Sequence, residues 1–226
     1  LPSLRAHLQA LQEAEHGVTG RQVCVTTGSA DALSKAFDAL LDEGDALLVE
    51  SPTYSGSLAY LRPIGCQLVG VRCDADGLDP SHLEEVLAGW HEGCNGGRRR
   101  PRVLYTIPTG GNPTGASLSL ARRQRVYEVA RTYDLLILED DPYHWLQYRA
   151  ARGAARRPSL LSLDRDGRVL RFDSFSKLLA SGVRLGWATG PPALIERIEL
   201  HGQASSLHTC GLAQGLVAAL LDAWAA

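Results

Sequence analysis

Methionine is absent from the 226-residue chain, and no apolar stretch reaches the ~20 residues that a membrane-spanning helix needs. The second absence excludes a helical span. An excess of one charge is missing too, since 23 lysines and arginines face 25 aspartates and glutamates, a formal balance of −2. That balance offers neither the broad basic footprint of a nucleic-acid binder nor the acidity of a disordered tail. The one basic run, Arg98, Arg99, Arg100 and Arg102, follows Gly96 and Gly97 and reads as a solvated loop rather than a polyanion site. No leader of the secretory kind is visible. Cysteine is scarce: Cys24, Cys66, Cys73, Cys94 and Cys210 are odd in number and lack paired metal-ligand spacing. A reduced, intracellular chain is the expectation.

What is present suffices for a core, with 45% hydrophobic residues in one globular unit. The chain opens inside an amphipathic pattern (Leu4, Leu8, Leu11) and stops at Trp224-Ala225-Ala226 without a helix stop signal. With methionine missing as well, a piece of a longer protein is expected. Short β-like runs occur at 22–26, 46–50, 67–71, 102–107, 135–139, 168–172 and 183–189. Helical stretches lie between them, such as 32–41, with Leu33, Phe37, Leu40 and Leu41 on one face, and 118–133. Residues from Pro192 onward read as helical, and 91–101 as an exposed insertion. The alternation predicts a three-layer α/β/α unit around a mostly parallel, seven-stranded sheet. In such sheets ligands bind outside the carboxyl ends of the strands, so the loops after the runs should carry the chemistry.

Residues 173–187, DSFSKLLASGVRLGW, hold Lys177 as the sole ionisable side chain between Asp173 and Arg184. Desolvated among Phe175, Leu178, Leu179 and Val183, such a lysine loses stability as an ammonium, and its amine becomes a usable nucleophile. Ser174, Ser176 and Arg184 are residue types that hold a phosphate, through hydroxyls and a planar guanidinium. An amine beside such a cradle points to pyridoxal phosphate; the alternative is a solvated lysine in a serine-rich turn. After the first run, Gly28, Ser29 and Ala30 open a helix whose free amides favour an anion by about 0.3–1 kcal/mol, and Ser29 also reads as an N-cap. After the second, Tyr54 stands on a proline turn where its ring can lie flat on an aromatic cofactor. After the fourth, the turn cluster PTGGNPTG surrounds Asn112, whose amide can donate to a phenolic oxygen or a carboxylate. After the fifth comes EDDPY. A carboxylate such as Asp140 at a buried strand end costs of order several kcal/mol unless paired, and a pyridinium nitrogen would supply the pair. Glu139, Asp140 and Asp141 together read alternatively as a divalent-metal site, though no further carboxylate or histidine cluster supports it.

PTGGNPTG, DDPY and SFSK with an arginine seven residues after the lysine together resemble the fold-type-I, class I/II aminotransferase family, over essentially the whole chain. The resemblance implies pyridoxal phosphate as cofactor, with Lys177 as Schiff-base anchor and acid/base catalyst and Asp140 paired to the ring nitrogen. It implies Asn112 and Tyr143 at the cofactor's phenolic oxygen, Asn112 also near substrate, and Tyr54 on the ring. The phosphate would fall to Ser29, the Ala30 backbone, Ser174, Ser176 and Arg184. Departures are Ala30, where glutamine is frequent, Gly111, where asparagine is common, and His144, where an aromatic ring is usual.

The stretches SPTYSGSLAYLRPIGC, LEDDPYHWLQY and IERIELHGQASSLH are similar to the kynurenine/α-aminoadipate branch of that family. This implies transamination between an amino acid of that type and a 2-oxo acid such as 2-oxoglutarate. It also implies a homodimer without nucleic-acid or membrane partners, in the mitochondrial matrix for that branch and otherwise in the cytoplasm. Family members bind the substrate carboxylate through an arginine of a C-terminal small domain and complete the site with an N-terminal segment and the dimer partner. On this likeness residues 1–226 form the cofactor-binding large domain alone, a poor catalyst by itself. Two other readings are a lyase or synthase on the same scaffold and a non-catalytic aminotransferase-like domain of a transcription regulator.

Overall fold

The computed structural model describes residues 1–91, 99–147 and 155–225. Strands and helices alternate from α1 (Pro2–His16), β1 (Gln22–Thr26), α2 (Ser29–Leu40), β2 (Ala46–Ser51) and α3 (Ser55–Ile64) to β3 (Gln67–Asp74), β4 (Gly77–Leu78) and α4 (Pro80–Ala88). They continue with β5 (Val103–Thr106), α5 (Leu120–Thr132), β6 (Leu136–Asp140), α6 (Leu160–Leu163), β7 (Val169–Ser174), β8 (Gly186–Gly190), α7 (Pro192–Ser205) and α8 (Gly211–Ala225). The sheet order is β1-β8-β7-β6-β5-β2-β3-β4. β3, β2, β5, β6 and β7 run parallel, whereas β8 is antiparallel to both β7 and β1.

The central strands read as continuous apolar runs because both faces are covered. On one face Leu33, Phe37, Leu61, Ile195 and Ile198 of α2, α3 and α7 pack against Val49, Tyr105, Leu138 and Phe172. On the other, Leu83, Val126 and Leu160 of α4, α5 and α6 meet Leu48, Leu104, Ile137 and Val169. A third cluster joins Leu4 and Leu8 of α1 and Val217 of α8 to Val23 and Trp187.

All seven expected runs are strands. The eighth, β4, is a two-residue antiparallel tail on β3, too short to show any alternation. The run expected at 183–189 begins only at Gly186, because residues 181–183 form a 3-10 turn and Arg184 takes a left-handed conformation (φ 50°, ψ 45°). Most of the expected insertion, 92–98, lies outside the described residues, and with it Cys94 and Arg98. Arg99, Arg100 and Arg102 stand exposed, Arg100 over the ring of Tyr133. Cys24, Cys66, Cys73 and Cys210 are unbridged. Among the described residues no helix is long and apolar enough to cross a membrane.

One close approach joins the sheet to α2. A Cβ on Gly186 would lie 2.6 Å from the carbonyl carbon of Gly28 and from the amide nitrogen of Ser29, and 2.7 Å from the carbonyl oxygen of Asp173. All three are backbone atoms, which cannot swing aside. Gly186→Ala is therefore expected to cost about 1–3 kcal/mol in urea unfolding. Gly182→Ala, with nothing within 4 Å of its new Cβ, should stay within about 0.5 kcal/mol of the parent. Equal stability of the two variants would contradict the packing described.

Candidate active site

All ten singled-out residues line one cleft of about 270 Å³ at the carboxyl ends of the strands. Topology alone gathers them. Ser29 and Ala30 follow β1, Tyr54 follows β2, Asn112 follows β5, and Asp140 to Tyr143 end β6. Ser174 to Lys177 end β7, and Arg184 just precedes the reversed strand β8, which brings it to the same edge. A larger hollow of about 440 Å³ between α1, β1 and α7 shares none of these residues. Its charged lining is already paired, Arg5 with Glu199 and Lys35 with Asp31.

At one end of the cleft the geometry suits an anion. The N-cap of α2 is Gly28, not Ser29, which is the first helical residue; the amides of the first turn are thus left free of a side-chain cap. Gly28 is also what admits Arg184, whose Nη2 lies 2.7 Å from where a Cβ on Gly28 would stand. Arg184 Nη1 donates to Ser176 Oγ at 3.2 Å and to the Ser181 carbonyl at 3.0 Å. Ser174 Oγ accepts the Ser176 amide at 3.1 Å, fixing the turn that carries Lys177. Helix amides, hydroxyls and an exposed guanidinium thus converge, the donor set a phosphate requires.

Lys177 departs from expectation. It is exposed rather than desolvated, because Phe175, Leu178, Leu179 and Val183 turn away from it into the cluster around Trp187. Its amine opens into the cleft, with Nζ 5.7 Å from the centre of the Tyr143 ring. Tyr54 is half-buried and folds over Gly56, where an added Cβ would come within 2.4–2.5 Å of the phenol end of its ring.

Side chains alternate along β6, and this splits the acidic triplet. Glu139 faces α6, whose first amides, Leu160 and Leu161, donate to it at 2.7 and 3.0 Å. Asp141 lies on that same side beside Arg171, so the three carboxylates do not converge on one ion. Arg171 is wholly buried, forked onto Asp173 by two bonds of 2.9 Å and 3.3 Å from both Glu139 and Asp141. Burial pushes the Asp141 carboxyl up, but Arg171, His144 and Arg123 outweigh it and hold it down at about 2. His144, the departure from an aromatic ring, serves this cluster, with Nε2 3.0 Å from Glu15 and Nδ1 3.6 Å from Asp141.

Asp140 faces the cleft with no such help. Its Oδ2 accepts from Tyr105 at 2.8 Å, while its buried Oδ1 has no hydrogen-bond partner. Burial, with the nearby carboxyls of Asp141, Asp173 and Glu50, lifts it to about 7 against the pull of the Tyr105 bond.

The loop that carries Asn112 is braced from below. Buried Arg123 donates to the Pro108 and Leu118 carbonyls and to Thr109, which in turn donates to Asp141. Glu50 accepts from Thr106 and from the Ile107 amide, and burial raises its carboxyl to about 7. Leu33, Ile107, Pro142 and Ser181 also line the cleft and were not anticipated. Leu33 was within reach of the sequence, lying one helical turn after Ser29.

The family model for aminotransferase class I and II matches residues 1–225. The mitochondrial kynurenine/alpha-aminoadipate aminotransferase of Bos taurus is 46% identical over 204 residues, 89% of this chain and 47% of that protein. An L-tyrosine:2-oxoglutarate aminotransferase of Tapinella panuoides is 42% identical, covering 98% of this chain and 44% of its own. Among solved structures, an aminotransferase of Candida albicans superposes with TM-score 0.92 and 37% identity over 99% of this chain and 50% of that one. The chain spans about half the length of the curated relatives it matches. With that match along its length and this fold, the chain belongs to the class I and II aminotransferase family.

Proposed function

We propose that these residues form the cofactor-binding large domain of a pyridoxal-phosphate-dependent aminotransferase. The observation that carries this reading is the buried, unpartnered Oδ1 of Asp140, in the one cleft that also holds the exposed amine of Lys177 and the guanidinium of Arg184. Members of the class I and II family use pyridoxal phosphate. The residues present fit that group: an anion cradle at the start of α2, an amine in mid-cleft, and a carboxyl whose free oxygen awaits a proton donor. When bound, the cofactor supplies a protonated aromatic ring that draws electrons from the substrate's α-carbon.

Each residue then has a separable task. Arg184, Ser174, Ser176 and the first amides of α2, Ser29 and Ala30, bind the phosphate and so fix the cofactor's position. Asp140 holds the proton on the ring nitrogen. Asn112 and Tyr143 orient the ring through its phenolic oxygen, Asn112 at the substrate side as well, and Tyr54 bears on its face. Lys177 would hold the cofactor covalently through its amine, and its Nζ, when free, would take the proton from the substrate's α-carbon.

The Bos taurus likeness supports an amino donor of the kynurenine or 2-aminoadipate type, and the Tapinella panuoides likeness a 2-oxoglutarate acceptor. A homodimer is proposed for the complete protein, with the arginine that binds the substrate carboxylate outside these residues. By the same likeness its compartment is the mitochondrial matrix, the cytoplasm being the alternative.

In the complete protein, Lys177→Ala should abolish turnover and the visible absorption of covalently bound cofactor, leaving the thermal midpoint near that of the parent. Persistence of that absorption would assign the anchor to another residue. Arg184→Ala should weaken pyridoxal phosphate binding about 10- to 100-fold in a fluorescence titration, the loss expected for charge-assisted hydrogen bonds. An unaltered dissociation constant would remove Arg184 from the cradle.

A further inference from the structure

Behind the cleft wall a short hydrogen-bonded chain ends on Asp140. Ser57 Oγ of α3 donates to the Tyr105 hydroxyl at 2.9 Å, and that hydroxyl donates to Asp140 Oδ2 at 2.8 Å, with all three residues buried. Phe37 of α2 packs against the Tyr105 ring in a T-shaped contact with centroids 5.8 Å apart, so the phenol is held at its ring as well as at its tip. Tyr105 does not line the cleft, and no loop motif contains it.

The surroundings of Asp140 make this one bond decisive. The charges of the surrounding strands that bear on it are carboxyls, Asp141 on its own strand, Asp173 on β7 and Glu50 on β2, while the Lys177 amine shares the cleft. The Arg171 guanidinium on the far side is committed to Glu139, Asp141 and Asp173. A terminal carboxylate torsion is broad and roughly two-fold, so burial alone does not fix its plane. A single neutral donor at Oδ2 does, and it leaves Oδ1 directed to the cleft without introducing a competing cation.

We propose that Tyr105 is a positioning residue for Asp140, and Ser57 for Tyr105: the relay sets the carboxylate plane and favours its ionised form, so that Oδ1 would accept a hydrogen bond from the protonated ring nitrogen of pyridoxal phosphate. This rests on the cofactor reading above. Tyr105 touches neither cofactor nor substrate and acts wholly through Asp140.

Tyr105→Phe removes one oxygen and keeps the ring that Phe37 packs against. In the complete, cofactor-free protein the carbon-13 signal of the Asp140 carboxyl, assigned with Asp140→Asn, reports its titration directly. Tyr105→Phe is expected to move that midpoint upward and to weaken pyridoxal phosphate binding about tenfold. Ser57→Ala should shift both in the same direction by a smaller factor, and it serves as the test if Tyr105→Phe does not fold. A residue of purely structural value would lower the thermal midpoint but leave the Asp140 titration and the cofactor affinity at parental values. That pattern overturns the relay. Wild-type turnover in Asp140→Asn would instead overturn the cofactor reading on which the relay rests.

Discussion

A guanidinium with no access to solvent, that of Arg171, gathers Glu139, Asp141 and Asp173 at the ends of β6 and β7, and the Asp140 end of the cleft is arranged around it. Removing one partner from such a buried set costs about 3–5 kcal/mol, because the remaining charge is left uncompensated. The cluster reaches outward through Thr109 and Arg123 to the Asn112 loop, and through His144 to α1. Strand alternation then isolates Asp140, which is neighbour in sequence to two paired carboxylates but faces the opposite side of the sheet. The electrostatic need of Asp140 is thereby left for a ligand to meet.

The anion cradle depends on a second constraint, the absence of side chains at two glycines. Gly28 leaves room for the Arg184 guanidinium over the start of α2, and Gly186 lets β8 pass against that same turn. Arg184 reaches its place by taking a left-handed backbone conformation, sparsely populated for a residue with a side chain. Its guanidinium is held there by Ser176 and the Ser181 carbonyl. The anion-suited end and the Asp140 end of the cleft are thus built by independent means, one by backbone shape and one by buried charge.

The positions of the strands and of the cleft-lining residues were legible in the sequence because each loop follows an apolar run and carries a residue type with a distinct chemistry. Asn112, Asp140 and Lys177 all stood out in this way. What was not legible required three dimensions. The apolar neighbours of Lys177 in sequence implied an apolar surround, but a 3-10 turn sends Phe175 and Leu178 one way and Lys177 the other. The EDD triplet read as a possible metal group until alternation divided it. Tyr105 was hidden because a tyrosine in a buried strand looks like core; only the pairing of β5 with β6 brings its hydroxyl to Asp140.

On the proposed reading, Asp140 is left unpaired so that it can keep a proton on the ring nitrogen of the cofactor. Nitrogen-15 NMR of the complete protein loaded with ring-labelled pyridoxal phosphate tests it most directly. The signal of a protonated pyridinium is expected, reverting to that of a neutral pyridine in Asp140→Asn. A neutral ring nitrogen in the parent protein would contradict it.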